Sequence, residues 1–574
     1  MGNSSPLSNI VRFGAFELDQ DAGELRRHGV KVRLQEQPLQ ILQMLLQQPG
    51  AVVPREELRK RIWPSDTFVD FDHGINNAIK RLRETLCDTA ETPIYIETLP
   101  RRGYRFVASV TRSTARIPAS IAVLPFLNLS AEAENEFFAD GMSEEIINAL
   151  MQIKELRVVA RTSSFSFKGK HVDLREIGER LNVQTVLEGS VRRSGNRLRI
   201  TAQLVNVSDG YHLWSERYDR EMKDIFEVQE EISQSIVRRL EVTLESEPPS
   251  FVRAGTDNLD AFKLYMQGRA LMSHRGIRLP DALGCFQQAV VQDPHYASAW
   301  ASLADTYNLM GFYGLARPQE CLPRGREAAL RAVSLGPSMS ETHASLALSL
   351  LYLDWDRSGA EKEFARALEL NPRNAQARIW YGIFYLEWLL GRFEEGISQG
   401  RQATELDPLS GYARGVLACM CIHGSLDEAI CTAKLVLQLE PESFLARWAL
   451  LTAYNSQGRF EEAAAVGEAA LTLSGRYPWM LASLARTYAK WGRLRDSESL
   501  YRELEWRSKR NFISPVTLAW AAAAAGDREA AIQYAQEGQK IGDPLLIAAK
   551  YWPDFEGLWE DSRFDQILKC RGWQ

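Results

Sequence analysis

The feature that most constrains this chain is a spacing. Five glycines, Gly391, Gly424, Gly458, Gly492 and Gly526, follow one another at intervals of 33, 34, 34 and 34 residues. Five prolines, Pro294, Pro337, Pro372, Pro408 and Pro441, recur at intervals of 43, 35, 36 and 33. The glycines sit where one helix would turn into the next, and the prolines sit at the ends of the units. A period of this length marks a helix pair that cannot bury its apolar face alone and must stack on its neighbours. The first unit reads Ala282-x3-Phe286-x2-Ala289-x4-Pro294, and the next begins Trp300-x2-Leu303-Ala304-x2-Tyr307. Small residues stand where two helices cross, and large ones fill the gaps. The wide interval before Pro337 implies an insertion of roughly nine residues over a 34-residue unit, placed around GFYGLARPQECLP.

This pattern resembles the tetratricopeptide (TPR) repeat. The resemblance implies about eight repeats over residues 257–544, stacked into an all-α superhelix, with residues 545–574 as a helical cap. Such stacks present an extended concave surface, which makes a protein or peptide the expected partner. Trp300, Trp380, Trp448 and Tyr454 fall at helical spacing within repeats and are assigned to the core between them rather than to a ligand site.

The rest of the chain is divided by two polar, proline-containing stretches read as linkers, TRSTARIPAS (111–120) and ESEPPSFVRAGTDN (245–258). The net charge is −6 over 574 residues, so no general surplus of positive charge exists. Up to Arg112 there are sixteen Lys and Arg against fourteen Asp and Glu; the remainder has 52 against 60. The basic residues of the first region are clustered: Arg59 to Arg61, Lys80 to Arg83, and Arg101 to Arg105.

That first region opens with strand-like pieces, VRFGAFELD and VKVRL. Three helical patterns follow, Leu39 to Gln48, Arg55 to Ile62, and about Asp72 to Cys87. In the third, Ile75, Ala78, Ile79, Leu82 and Leu86 form an apolar face, and Asn76, Asn77, Lys80, Arg81, Arg83 and Glu84 lie opposite. A strand, a tight turn between Pro100 and Gly103, and a second strand complete the region. "GINNAIKRLRETL" followed by "YIETLPRRGYRFVA" resembles the winged-helix DNA-binding domain of the OmpR/PhoB response-regulator family, in its CadC-like variant. The resemblance spans residues 9–110 and implies that double-stranded DNA is bound. The third helix would enter the major groove with Asn76, Asn77, Lys80, Arg81 and Arg83, and Arg101 and Arg102 would reach the minor groove from the wing tip. The chemistry agrees: asparagine can pair with adenine, Lys and Arg with guanine or phosphate, and arginine suits a narrow minor groove. Neither the receiver domain of a response regulator nor the transmembrane helix of a CadC-type sensor is evident.

Residues 119–246 read as a small α/β domain. IAVLPF suits a buried strand, FFADGMSEEIINALMQI and DLREIGERL suit helices, ELRVVAR a strand, and a long hairpin turns around Ser194-Gly195-Asn196. A further strand, YHLWSERYDR, and a closing helix follow. "AVLPF", "FADGMSEEIINAL", "LEGSVRRSGNRLRITAQLV" and "LWSERYDR" resemble the TolB N-terminal-like domain. Glu144, Glu145, His171, Asp173 and His212 could do acid–base or metal chemistry, but no spacing brings them together, and they are read as scattered surface or core residues.

The expected fold class is therefore multidomain: an α+β winged helix-turn-helix, a small α/β domain, then an all-α TPR superhelix. Seven scattered cysteines, none in a CxxC pair, are read as free thiols of a reducing cytosol. No secretory signal and no apolar run of the roughly 18 residues a membrane span needs is seen, which sets the expectation of a cytoplasmic chain without membrane contact. No cofactor, metal or catalytic residue is assigned. The functional expectation is a sequence-specific transcription regulator, with RNA polymerase as a further candidate partner and a homodimer on DNA as a candidate arrangement. The alternatives are a TPR scaffold whose winged helix contacts proteins, and an enzyme with its site in the middle domain.

Overall fold

The computed structural model describes residues 10–14, 16–20, 23–27, 30–32, 34–62, 71–86, 88–90, 93–100, 102–113, 119–130, 135–151, 153, 156–170, 172–221, 225–240, 255–273 and 278–569. The chain divides into two compact units, residues 1–119 and 120–574.

In the first unit, strands β1 (Ile10–Phe13), β2 (Phe16–Asp19), β3 (Glu24–Arg27) and β4 (Val30–Val32) form an antiparallel meander. Helix α1 (Glu36–Gln47), strand β5 (Val52–Pro54), and helices α2 (Arg55–Ile62) and α3 (Phe71–Leu86) follow. α1 begins before the predicted Leu39, because Pro38 falls in its first turn, where a missing N–H costs nothing. Strands β6 (Ile96–Leu99) and β7 (Gly103–Phe106) pair with β5 in the order β5-β7-β6. Thr111–Ser113, expected to start a linker, is strand β8 and pairs with β1. The aromatic rings of Phe13, Phe16, Tyr95 and Phe106 meet in the core, Phe13 and Phe106 edge-on at 5.1 Å.

The second unit opens with a six-stranded sheet of β9 (Ser120–Val123), β10 (Leu127–Asn128), β11 (Arg157–Val158), β12 (Thr185–Ser194), β13 (Arg197–Asn206) and β14 (His212–Glu221). Helices α4 (Asn135–Met151), α5 (Arg161–Phe165), α6 (Leu174–Leu181) and α7 (Ile225–Arg239) accompany it. These are the elements expected from the pattern, with the long hairpin turning at Gly195.

Eight helix pairs then run from Leu259 to Ile541. Gly391, Gly458, Gly492 and Gly526 turn between the two helices of their repeats at φ between 69° and 85°, which explains the glycine period. Gly424 does not share that conformation; its φ is −116°. The long interval before Pro337 is absorbed by two lengthened helices, Ala297–Phe312 and Pro318–Leu335, and the turn between them. Trp380, Trp448 and Tyr454 are buried between repeats, and Trp300 is partly so. The first helix of each pair lines the inner face. Its aromatics reach across: Trp479 meets Phe312 edge-on at 5.3 Å, and the Tyr477 hydroxyl donates to the Tyr313 carbonyl at 2.5 Å.

Two arrangements in this unit go beyond the sequence reading. The α/β domain is seated on the array at the turns between repeats. Ser163 donates from its N–H and its hydroxyl to Asp407 Oδ1, at 3.0 and 2.5 Å, and Arg373 donates to the Leu156 carbonyl. The tail is also not simply an end cap. Only the last helix, Ser562–Lys569, packs at the end, where the Gln539 amide donates to the Ile567 carbonyl. Pro544–Ala548 and Pro553–Leu558 form short 3₁₀ turns whose apolar residues are buried against the inner helices. Among the described residues no helix is long and apolar enough to cross a membrane.

Candidate nucleic-acid interface

The candidate interface is built on α3. Its apolar stripe, Ile75, Ala78, Ile79, Leu82 and Leu86, is buried, so the helix has one possible seating. The opposite stripe is forced outward: Asn76, Asn77, Lys80, Arg81 and Glu84 are exposed.

These side chains differ in what they touch. Asn76 is held from two sides: Arg55 Nη2 and the Tyr104 hydroxyl donate to its Oδ1 at 2.9 and 3.0 Å. Arg55 Nη2 also donates to Tyr104 Oη at 2.8 Å, and its guanidinium lies 5.2 Å from the Tyr104 ring centre. The start of α2, the middle of α3 and the wing are thus tied together at one asparagine. Its carbonyl side is engaged within the domain, and its amide nitrogen keeps two donors. Arg81 donates to Gln35 Oε1 ahead of α1. Arg83 is half-buried and donates to the Ile96 carbonyl at 2.7 Å and to Thr98 Oγ1 at 2.9 Å, which fastens the first wing strand to α3. Asn77 and Lys80 stand on the open face of the helix.

The wing is set by groups the sequence reading did not single out. Asp88 is buried, and its carboxylate accepts four backbone N–H groups: Thr89 and Ile94 on one oxygen, at 3.0 and 2.7 Å, Tyr95 and Ile96 on the other, at 3.2 and 2.8 Å. Four charge-assisted bonds from one loop to one carboxylate fix where β6 begins. A single acid between Cys87 and Thr89 carries no pattern, which is why only the structure finds it. Gly103 opens β7 at φ +146°, and a Cβ there would lie 2.0 Å from the Val53 carbonyl oxygen, so β7 can approach β5 only with glycine. The Arg102 N–H donates to the Leu99 carbonyl at 3.0 Å and closes the wing turn, leaving the Arg102 side chain exposed. Arg101 lies outside the described residues. Arg105 is turned onto Glu97 of the paired strand, with its Nε 2.8 Å from Oε2, so the third arginine of the run serves the sheet. On α2, Arg59 lies over the Phe71 ring at 4.3 Å.

The groups of the middle domain stay apart. Glu144 pairs with Arg161 at 2.6 Å and Arg269 at 3.4 Å. Burial, reinforced by neighbouring Glu144, pushes the Glu145 carboxyl up to about 8. Asp173 caps α6, His212 begins the outer strand β14, and His171 lies outside the described residues. Among the described residues no three His, Cys, Asp or Glu side chains gather in a way that could hold a metal.

Known proteins divide the chain in the same way. Residues 29–106 match the family described as transcriptional regulatory protein, C terminal. Residues 117–235 match the HilA/YgeH-like transcriptional regulator, second domain, so the TolB likeness rests on the quoted residues alone. Residues 346–411 and 422–478 match the tetratricopeptide repeat. A protein named putative adenylate cyclase 3 of Rhizobium meliloti is 34% identical over 56% of this chain, and the match spans only 54% of that relative's length. Transcriptional regulator HilA of Salmonella typhimurium is 24% identical, over 75% of this chain and 76% of that protein. Transcriptional activator CadC of Escherichia coli is 29% identical over 18% of this chain and 20% of its own length. The chain therefore carries, in order, an OmpR/PhoB-type winged helix, a stretch similar to the HilA/YgeH-like second domain, and tetratricopeptide repeats.

Proposed function

We propose that this chain is a cytoplasmic, sequence-specific DNA-binding regulator of transcription, without catalytic activity of its own. The observation that carries the reading is the division of α3 into a buried apolar stripe and an exposed stripe of Asn76, Asn77, Lys80 and Arg81, beside a wing tip that presents Arg102. Asn77 and Lys80 meet base edges in the major groove, and Asn76 does so through its amide nitrogen. Arg81 and the wing-tip Arg101 and Arg102 neutralise phosphate or enter the minor groove. Arg83 acts on DNA by holding the wing in register with α3. The repeat array binds a protein partner, and a second copy of the chain or RNA polymerase completes the assembly at the promoter.

Retention of a duplex by the full chain, followed by selection of bound sequences from a random pool, tests this. A consensus sequence and an affinity that falls steeply with salt are expected. A chain that retains no duplex at low salt overturns the reading.

A further inference from the structure

The concave face through which stacked helix pairs take peptides is already filled in this chain, and its occupant has a definite chemistry. Trp552 stacks on Trp448 of the inner face with ring centres 4.2 Å apart and meets Trp388 edge-on at 5.7 Å. His423 donates from Nε2 to the Tyr551 carbonyl at 3.2 Å. Two residues after Trp552, Asp554 Oδ2 accepts from Ser483 Oγ and from the Trp552 indole, both at 3.0 Å. Arg486 lies 3.5 Å from Asp554 Oδ1 and donates to Glu556 Oε2 at 2.8 Å, and Lys490 donates to the same oxygen at 2.6 Å.

Several observations set this segment apart from the helices around it. It contains no helix of the repeat kind, only two short 3₁₀ turns. It leaves the last repeat through Gly542, which has φ +70° and open space around it. Its acidic end faces solvent: the Glu556 side chain is 48% exposed, the Lys490 side chain 35%, and Trp559 42%. Where the segment is acidic the receiving side presents Arg486 and Lys490, and where it is aromatic the receiving side presents Trp388 and Trp448, so the contact is complementary in charge as well as in shape.

We propose that residues 543–561 are an internal ligand of the array's inner face, and that a partner protein carries an acidic, aromatic segment of Trp-x-Asp-x-Glu chemistry that takes their place. This rests on the reading of the array as a protein-binding module. Exchange of one segment for the other gives the array two states, one closed on its own tail and one open to the partner. The partner's affinity is lowered by whatever fraction of the array is held closed by the tail.

The test uses the full chain and a fluorescent synthetic peptide of residues 544–561. Trp552→Ala in the chain loosens the resident tail and leaves the receiving residues unchanged. The expected result is peptide binding by the Trp552→Ala chain at least tenfold tighter than by the unsubstituted chain. A peptide carrying Asn at 554 and Gln at 556 is expected to bind at least tenfold more weakly. No binding by a Trp552→Ala chain with unchanged far-ultraviolet circular dichroism, or equal binding of the neutral peptide, overturns the proposal. Should Trp552→Ala fail to fold, amide exchange in the unsubstituted chain decides: residues 545–558 are expected to exchange at least tenfold faster than the inner helices, and equal protection overturns the proposal. A chain that captures a protein partner through the array but ignores the peptide sinks this inference and leaves the protein-binding reading standing.

Discussion

The winged helix and the repeat array treat their basic and aromatic residues in opposite ways. In the first unit, burial of the apolar side of α3 turns Asn77 and Lys80 outward, and the closed wing turn leaves Arg102 exposed. In the array, Arg486 and Lys490 on the inner face are bound to Asp554 and Glu556 of the same chain, and Trp448 is covered by Trp552. One surface is open, and the other is occupied. A helix that buries one stripe necessarily displays the other. A concave stack displays its inner face only if nothing else in the chain fills it.

Removing the occupant is the strongest way to break this comparison. Trp552 is fully buried between Trp448 and Trp388. Trp552→Ala should destabilise the array by about 3–5 kcal/mol, the usual cost of truncating a buried aromatic. Thermal melting of the full chain should show the transition of residues 120–574 moving down while that of the winged helix stays in place. An unmoved array transition would mean that the tail contributes little to the core.

The next effect lies in the winged helix. Asp88→Ala leaves four backbone N–H groups of the wing approach without their acceptor. A loss of about 3 kcal/mol from the winged helix is expected, since buried donors left unpaired carry most of the cost. DNA affinity should fall with it, because the wing loses its register on α3. Asp88→Asn should recover part of both losses. Equal stability of the alanine variant and the unsubstituted chain would remove Asp88 from the account.

How much of this was legible beforehand differs between the regions for a physical reason. Periodicity reports which face of a helix is apolar, so α3 and the eight helix pairs follow from spacing alone. The glycine period works because a left-handed turn residue is needed at Gly391, Gly458, Gly492 and Gly526. Spacing is silent about contacts between residues far apart in sequence. It could not show Arg55 and Tyr104 meeting at Asn76, Arg83 fastening the wing, or Asp407 receiving Ser163 across 244 positions. It also reads a short terminal segment as a cap, because a buried lining and an end cover have the same apolar composition. Trp552 and Phe555 belong to the lining.

The seat of the α/β domain on the array can be probed through pH. The Glu145 carboxyl is raised from its ordinary 4.5 to about 8 by burial and by Glu144 beside it. Arg269 of the array, which pulls the other way, and Glu341 face it as well. In the unfolded chain it ionises near its ordinary value, so the folded form holds the extra proton between those limits. Stability from this group is therefore greatest at acid pH and declines as pH rises toward 8. Between pH 6 and pH 7.5 the loss is about 2 kcal/mol, at 1.36 kcal/mol per unit. Glu145→Gln keeps the neutral shape and should flatten that part of the profile, leaving the variant more stable than the unsubstituted chain at pH 7.5. Parallel pH profiles of the two melting temperatures would count against a protonated Glu145.

On the open surface the effects are smaller, and they separate reading from holding. Asn77→Ala should cost about 1–2 kcal/mol on the preferred site and much less on random DNA, because a lost base contact matters only where the right base stands. Selection from a random pool should show relaxed preference at one or two positions. An unchanged consensus would assign Asn77 to the backbone or to solvent.

The smallest effect belongs to the wing tip, and it is read as a slope. Arg102 is exposed, and its backbone N–H, not its guanidinium, closes the turn to Leu99. Arg102→Ala should therefore leave the fold of the winged helix intact. If the side chain lies along a phosphate or in the minor groove, its loss releases one fewer bound counterion on complex formation. The plot of log affinity against log salt should then become shallower by about 1, equally for preferred and random duplexes. A change confined to the preferred duplex would make Arg102 a base-reading residue, while an unchanged slope would leave the wing tip off the DNA. Either result would sharpen the contrast with Arg486, whose guanidinium is already held by the chain's own carboxylates.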